Sequence, residues 1–205
     1  MITIYGDFNC PFSFLASLRA DTFIAAGIQI DWRAVEHAKE LPVLGRRLDE
    51  AEVTGELEAV RQLLNTGEEF AAAAPSMLPN TAAANAGYAE AVGSGVGDDV
   101  RQLLFDAYWT RGVDIGSVEV LRSLLAAPIK RGHSAAFPLR ESGFAVSTNR
   151  GPITTAAYRR LAAWRGAWVE LATWTTPTIV ADGRPQVGVD GLRWLAAHQP
   201  HPVAA

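Results

Sequence analysis

Asp7-Phe8-Asn9-Cys10-Pro11-Phe12-Ser13-Phe14-Leu15 lies where a short apolar strand, Ile2-Thr3-Ile4-Tyr5, gives way to a helix. From Phe12 onward the apolar residues fall at helical intervals, at Phe14, Leu15, Leu18 and Phe23 with Thr22 on the same face. Pro11 suits the first helical position, where a missing N–H costs nothing, and this makes Cys10 the cap. A sulfur placed there meets unpaired backbone N–H groups and the positive end of the helix dipole, which favour thiolate over thiol. We therefore expect Cys10 to be reactive, with its pKa below the ordinary ~8.5. The alternative is a buried cysteine acting as a small apolar side chain. Cys10 is the chain's one cysteine, so no internal disulfide can form and packing alone must hold the fold.

Working outward, Ile28-Gln29-Ile30-Asp31-Trp32 follows the first helix after Gly27, giving a β-α-β unit and hence two parallel strands. Beyond Glu36 strand signals almost vanish and alanine-rich helical periodicity takes over as far as Arg150. The punctuation predicts a helix over Arg46–Leu64, a loop between Pro75 and Pro79, and a helix from Asn80 or Thr81 to Val92. It predicts further helices from Asp98 to Thr110, from Asp114 or Ser117 toward Ala127, and after Gly132-His133-Ser134. A helix carrying Tyr158, Leu161 and Trp164 then leads to Thr176-Pro177-Thr178-Ile179-Val180, a strand entered by a proline. Asp182-Gly183 is a hairpin turn into Gln186-Val187-Gly188, Gly191–Ala197 forms a closing helix, and His198 to Pro202 reads as a frayed tail.

The 205 residues suffice for a sizeable core, and half of them are apolar with a fifth charged. A net charge of -4 without any long Lys/Arg cluster excludes a nucleic-acid surface. No apolar run approaches the length of a membrane span, and the N-terminus shows no secretory pattern, so a cytoplasmic protein without a membrane partner is expected. The four histidines, His37, His133, His198 and His201, lack metal-ligand spacing beyond the short tail pair, so no metal is expected.

The order β-α-β, helical insertion, α-β-β-α, with a cysteine at the first strand-to-helix turn and a late Thr-Pro strand start, resembles the thioredoxin superfamily. More narrowly it resembles the DsbA-like branch, an α/β fold in which a large helical domain is inserted into the thioredoxin unit. The segments that carry this are Asp7–Leu15, Leu104–Ile115 and Thr176–Val180. The resemblance implies a thioredoxin-like domain over residues 1–36 and 150–205, with 37–149 as the insertion. It also implies that Pro177 is cis and lies beside the sulfur, and that Thr176 offers its backbone to a thiol peptide or substrate. From this segment alone, an ordinary trans proline at an edge strand stands equally open.

Position 13 is serine where a DsbA oxidase carries its second cysteine. A self-contained dithiol cycle is thereby excluded, because no second sulfur can attack the mixed disulfide. The branch also contains kappa-class glutathione transferases and 2-hydroxychromene-2-carboxylate isomerases, which lack the second cysteine but carry serine in place of Cys10. Their glutathione-holding glycine and aspartate resemble Gly188-Val189-Asp190, although the arginine that commonly follows is Gly191 here. Asp190 can equally cap the last helix.

Ser13 either donates to the thiolate or satisfies a backbone group in the first helical turn. Asn80 is a pocket candidate by resemblance and a helix cap by local chemistry. Pro11 and Phe12, next to the sulfur, and Val189, next to Asp190, complete the set of substrate- or thiol-contacting residues. Phe105, Tyr108, Trp109 and Trp174 either line a pocket or belong to the core.

Three functions follow. The first is a monothiol thiol–disulfide oxidoreductase with Cys10 as nucleophile, Ser13 tuning it and an external thiol resolving the adduct. The second is a glutathione-dependent isomerase or transferase acting on an aromatic acid, and the third a binding or chaperone-like module. No permanently bound cofactor is expected. Glutathione or another low-molecular-weight thiol is the implied co-substrate, the substrate is a thiol, disulfide or aromatic small molecule, and homodimerisation is left open.

Overall fold

The computed structural model describes residues 1–200. β1 (Ile2–Gly6), α1 (Pro11–Ala25) and β2 (Ile30–Ala34) form the expected β-α-β unit, with β1 and β2 parallel and Ile2 paired to Ile30. The second strand begins two residues later than the apolar pattern suggests. Gly27 adopts φ +76°, and this left-handed turn lets the N–H of Ile28 close the end of α1 on the Phe23 carbonyl at 2.9 Å. Ile28 thus serves the helix rather than the sheet.

β5 (Thr178–Ala181) runs antiparallel to β1, and β6 (Arg184–Val187) antiparallel to β5, giving the order β2-β1-β5-β6. Asp182 and Gly183, at φ +49° and +73°, make the two-residue hairpin turn. α7 (Gly188–Ala197) packs back on this hairpin and against α1. A Cβ at Gly191 would meet Ile179 and the Gln186 carbonyl, so the helix lies too close to the strands there for any side chain.

Between β2 and α6 (Thr155–Glu170) stand α2 (Glu50–Arg61), α3 (Ala82–Gly93), α4 (Gly97–Phe105) and α5 (Val118–Arg131). α4 runs into a π-helical turn at Asp106–Thr110, so the expected continuous helix changes its winding rather than stopping. The helix expected after His133 is a single π-helical turn, Pro138–Ser142. α5 passes through Pro128 and ends at Arg131, beyond the predicted Ala127.

The helix predicted from Arg46 starts only at Glu50. Asp49 accepts hydrogen bonds from the N–H groups of Ala51 and Glu52 and fixes the start. Arg46–Arg47 (β3) pairs antiparallel with Met77–Leu78 (β4), a two-stranded sheet absent from the sequence reading. Strands of two residues leave no periodicity to detect.

The core joins sheet and helices through aromatic side chains. Phe105 stacks on Phe14 at 5.5 Å and meets Phe8 at 5.0 Å and Trp32 at 5.5 Å. Phe105, Tyr108 and Trp109 are therefore core residues, whereas Trp174 is exposed. Two buried arginines brace α1. Arg19 bonds Glu68, the Leu63 carbonyl and the Leu192 carbonyl, and Arg101 of α4 reaches the Ser17 carbonyl and Asp21.

His198 stacks on Trp194. His201 and Pro202 of the predicted tail lie outside the described residues. Among the described residues there is no cluster of metal-ligating side chains, and no helix is long and apolar enough to cross a membrane.

Candidate active site

Cys10 occupies the N-cap of α1 in extended conformation, and Pro11 follows at the first helical position, as the local sequence requires. Parallel pairing of β1 with β2 and antiparallel pairing of β1 with β5 bring three chain segments to this spot. Residues 7–10 leave β1, residues 35–41 leave β2, and Thr176-Pro177 enters β5. The Thr176-Pro177 bond is cis. Cys10 Sγ donates to the Thr176 carbonyl at 3.5 Å, and Pro177 O accepts from the Gly188 N–H at 2.8 Å, tying the start of α7 to the same proline.

The expectation of a lowered thiol pKa does not hold. Cys10 is buried, and burial pushes its pKa above the ordinary value, with the nearby Asp7 carboxylate adding to the rise. Hydrogen-bonding groups of Thr176 and Ser13 oppose this but do not outweigh it. The Thr176 hydroxyl is buried without a partner and can donate to the anion, whereas the Thr176 carbonyl accepts from the neutral thiol and favours it. That carbonyl accepts from Cys10, and its second lone pair leaves it able to accept from a substrate backbone as well. The Ser13 hydroxyl accepts from the Asp7 N–H at 3.3 Å, so it serves the backbone as well as the sulfur.

A pocket of about 220 Å³ opens beside the sulfur, lined by Asn9, Cys10, Pro11, Phe12, His37, Leu41, Leu78 and the charged residues Glu40, Arg46, Glu52 and Glu56. Cys10, Pro11 and Phe12 are thus brought together as expected. Asn80, Val189 and Asp190 are not among the lining residues. Asn80 is used to brace the fold: its Nδ2 donates to the Leu41 carbonyl and its Oδ1 accepts from the Ala82 N–H, while Thr81 takes the cap position of α3. Asp190 lies in the first turn of α7, exposed, within 3.5 Å of Arg193, and the helix cap is Val187.

One lining residue, His37, belongs to a pair with Asp7 that the sequence reading passed over. Asp7 is 1% exposed, and its Oδ2 accepts from both the backbone N–H of His37 at 2.9 Å and the ring Nδ1 at 2.8 Å. Its Oδ1 accepts from the Thr81 hydroxyl at 2.7 Å. Burial disfavours the His37 imidazolium, but the hydrogen bond and charge of Asp7 prevail and raise its pKa. A signal for this pair existed: Asp7 follows β1 and His37 follows β2, and parallel neighbouring strands end side by side. Asn9 was likewise missed. Its Nδ2 donates to the Pro79 carbonyl at 3.0 Å, and its buried Oδ1 has no partner.

A family model described as a DSBA-like thioredoxin domain matches residues 1–136. No curated protein matches the chain. Among solved structures it is similar to a 2-hydroxychromene-2-carboxylate isomerase, with TM-score 0.65 and 20% identity over 96% of this chain and 92% of the other. The cytosolic disulfide reductase DsbM from Pseudomonas aeruginosa with GSH gives TM-score 0.63 and 17% identity, covering 96% of each chain. A probable DsbA oxidoreductase from Streptomyces coelicolor gives 0.66 and 12%, covering 100% of this chain and 92% of that one. At such identities the likeness is one of fold.

Proposed function

The chain belongs to the DsbA-like thioredoxin family, and from that premise we propose that it is a monothiol thiol–disulfide oxidoreductase, with Cys10 as nucleophile and an external thiol of the glutathione type as resolving partner. The observation that carries this reading is the position of the chain's only thiol at the start of α1, 3.5 Å from the carbonyl that precedes cis-Pro177. In the first half-reaction the Cys10 thiolate attacks one sulfur of a disulfide RSSR″, forming the mixed disulfide and expelling R″S⁻. In the second, an external thiolate R′S⁻ attacks the R sulfur, releasing RSSR′ and the Cys10 thiolate. The helix N-terminus stabilises that anion when it forms. Ser13 and the free Thr176 hydroxyl supply further hydrogen bonds. Chemistry that relies on a reducing thiol pool suits the cytoplasm.

The burial of Cys10 favours one other reading, glutathione-dependent isomerisation or transfer, in which the sulfur of the bound thiol is the nucleophile and Cys10 only donates to it. The two are separated by following glutathione-dependent reduction of bis(2-hydroxyethyl) disulfide, with intact-protein mass spectrometry of the adduct. We expect a reversible mixed disulfide on the wild type and loss of reduction in Cys10→Ser. Reduction that persists in Cys10→Ser overturns the oxidoreductase reading. An absent adduct together with inactive wild type points instead to a binding module.

A further inference from the structure

We propose that His37, oriented by Asp7, is the acid–base residue of the exchange: its Nε2 protonates the thiolate that leaves the substrate disulfide and then takes the proton of the incoming resolving thiol. This rests on the oxidoreductase reading above and adds a residue to it.

Four contacts fix the orienting group. Asp7 accepts from the His37 backbone, the His37 ring and the Thr81 hydroxyl, and its own N–H donates to Ser13, in the turn that carries Cys10. With Nδ1 engaged by the carboxylate, the proton-carrying tautomer is set and Nε2 is the free end of the ring. No protein group among the described residues hydrogen-bonds Nε2. The side chain is 34% exposed and lines the same pocket as Cys10, so it borders the space in which a thiol bound beside the sulfur would sit.

The charge arrangement supports this assignment. A buried carboxylate near Cys10 opposes formation of the thiolate, so Asp7 does not serve the nucleophile directly. What it does serve is an imidazolium. The charged groups around the ring are Asp7 at the end of β1, Glu40 on the same loop, Glu52 and Glu56 of α2 and Arg46 of β3. Asp7, Glu56 and Glu40 all favour the protonated ring, which matches a group that must first give a proton.

The cycle balances. Cys10 loses its proton to solvent, and its thiolate attacks RSSR″ to form Cys10–S–S–R, expelling R″S⁻. The His37 imidazolium transfers its Nε2 proton to R″S⁻, giving R″SH and neutral imidazole. The incoming R′SH gives its proton to that imidazole, and R′S⁻ attacks the R sulfur, restoring the Cys10 thiolate. The sum is RSSR″ + R′SH → RSSR′ + R″SH, with His37 returned to its starting state.

The test compares wild type, His37→Ala, His37→Gln and Cys10→Ser in two reactions. One is turnover of bis(2-hydroxyethyl) disulfide with glutathione. The other is stoichiometric alkylation of Cys10 by iodoacetamide, whose iodide leaving group needs no proton. The backbone N–H that Asp7 accepts remains in both His37 variants, so the loop keeps its anchor. We expect turnover to fall about 100-fold in both, alkylation to change by less than about twofold, and added imidazole to restore part of the His37→Ala turnover. The loss should also shrink with 5,5′-dithiobis(2-nitrobenzoate), whose acidic leaving thiol needs no proton. Unchanged turnover, equal loss in turnover and alkylation, or absence of imidazole rescue overturns the assignment. Turnover that survives Cys10→Ser sinks the oxidoreductase reading itself, an outcome independent of the His37 variants.

Discussion

Two opposing influences act on the sulfur of Cys10. The helix N-terminus, the Thr176 hydroxyl and Ser13 favour the anion, while burial and the Asp7 carboxylate disfavour it and prevail. The rate of Cys10 alkylation should therefore keep rising with pH beyond the ordinary thiol value of about 8.5, and at neutral pH it should lag behind a free thiol of similar reactivity. Stopped-flow alkylation between pH 6 and pH 10 checks this. A plateau already reached near neutrality would show that the dipole and hydrogen bonds outweigh burial. The local sequence names this residue and its helical position because capping is a property of adjacent residues. Its protonation state is not legible there, since the depth of burial depends on Thr176 and on the β2–β3 loop, both remote in sequence. The same holds for His37. Its partner Asp7 is 30 residues away, and only the parallel register of β1 and β2 makes them neighbours.

At the scale of elements, several helix starts were legible from a cap residue, whereas the Asp49 cap of α2 was not read and its start was placed at Arg46. Ser117 accepts from the Val120 N–H at the start of α5, and Thr154 accepts from the Ala157 N–H at the start of α6. The start of α6 is also held from outside. Glu90 of α3, 2% exposed, accepts from the Ile153 N–H at 2.7 Å, the Thr154 N–H at 2.6 Å and the Thr154 hydroxyl at 2.9 Å. Its removal leaves two backbone donors unpaired in a covered position, each costing about 1–3 kcal/mol. Glu90→Ala should lower the unfolding free energy by roughly 3 kcal/mol, measured by urea titration, and Glu90→Gln by less, because the amide oxygen still accepts. An effect below about 0.5 kcal/mol for Glu90→Ala would mean that solvent replaces the carboxylate. β3 and β4 mark the other limit. Two residues per strand carry no pattern, and their pairing reflects contact between the segment before α2 and the segment before α3.

Across the whole molecule, Arg19 ties α1 to the segment after α2 and to α7. Its side chain is 1% exposed, and its ion pair with Glu68 is 2.7 Å long. Partial burial tends to raise the Glu68 pKa, but the hydrogen bond from Arg19 overcomes this and holds it below the ordinary value. A lowered folded-state pKa means that the pair contributes fully above the unfolded value of about 4.3, and that the contribution disappears as pH falls through the lower folded value. Glu68→Gln should cost about 3 kcal/mol near neutrality because it leaves a buried guanidinium without its counter-charge. The difference from wild type should close at acidic pH. Thermal melts at pH 7 and pH 3 test this, and an equal difference at both would assign the effect to packing. The amino-acid sequence by itself determined the order of the main helices and strands other than β3 and β4, the capping position of the one cysteine and the impossibility of a self-contained dithiol cycle, because these follow from neighbouring residues and from composition. Tertiary structure decided the burial of the sulfur, its contact with Thr176, the Asp7–His37 pair and the departure of Asn80 and Asp190 from the pocket wall. Each of these depends on distances between segments far apart in the chain, which are set by strand register and helix packing rather than by any local pattern.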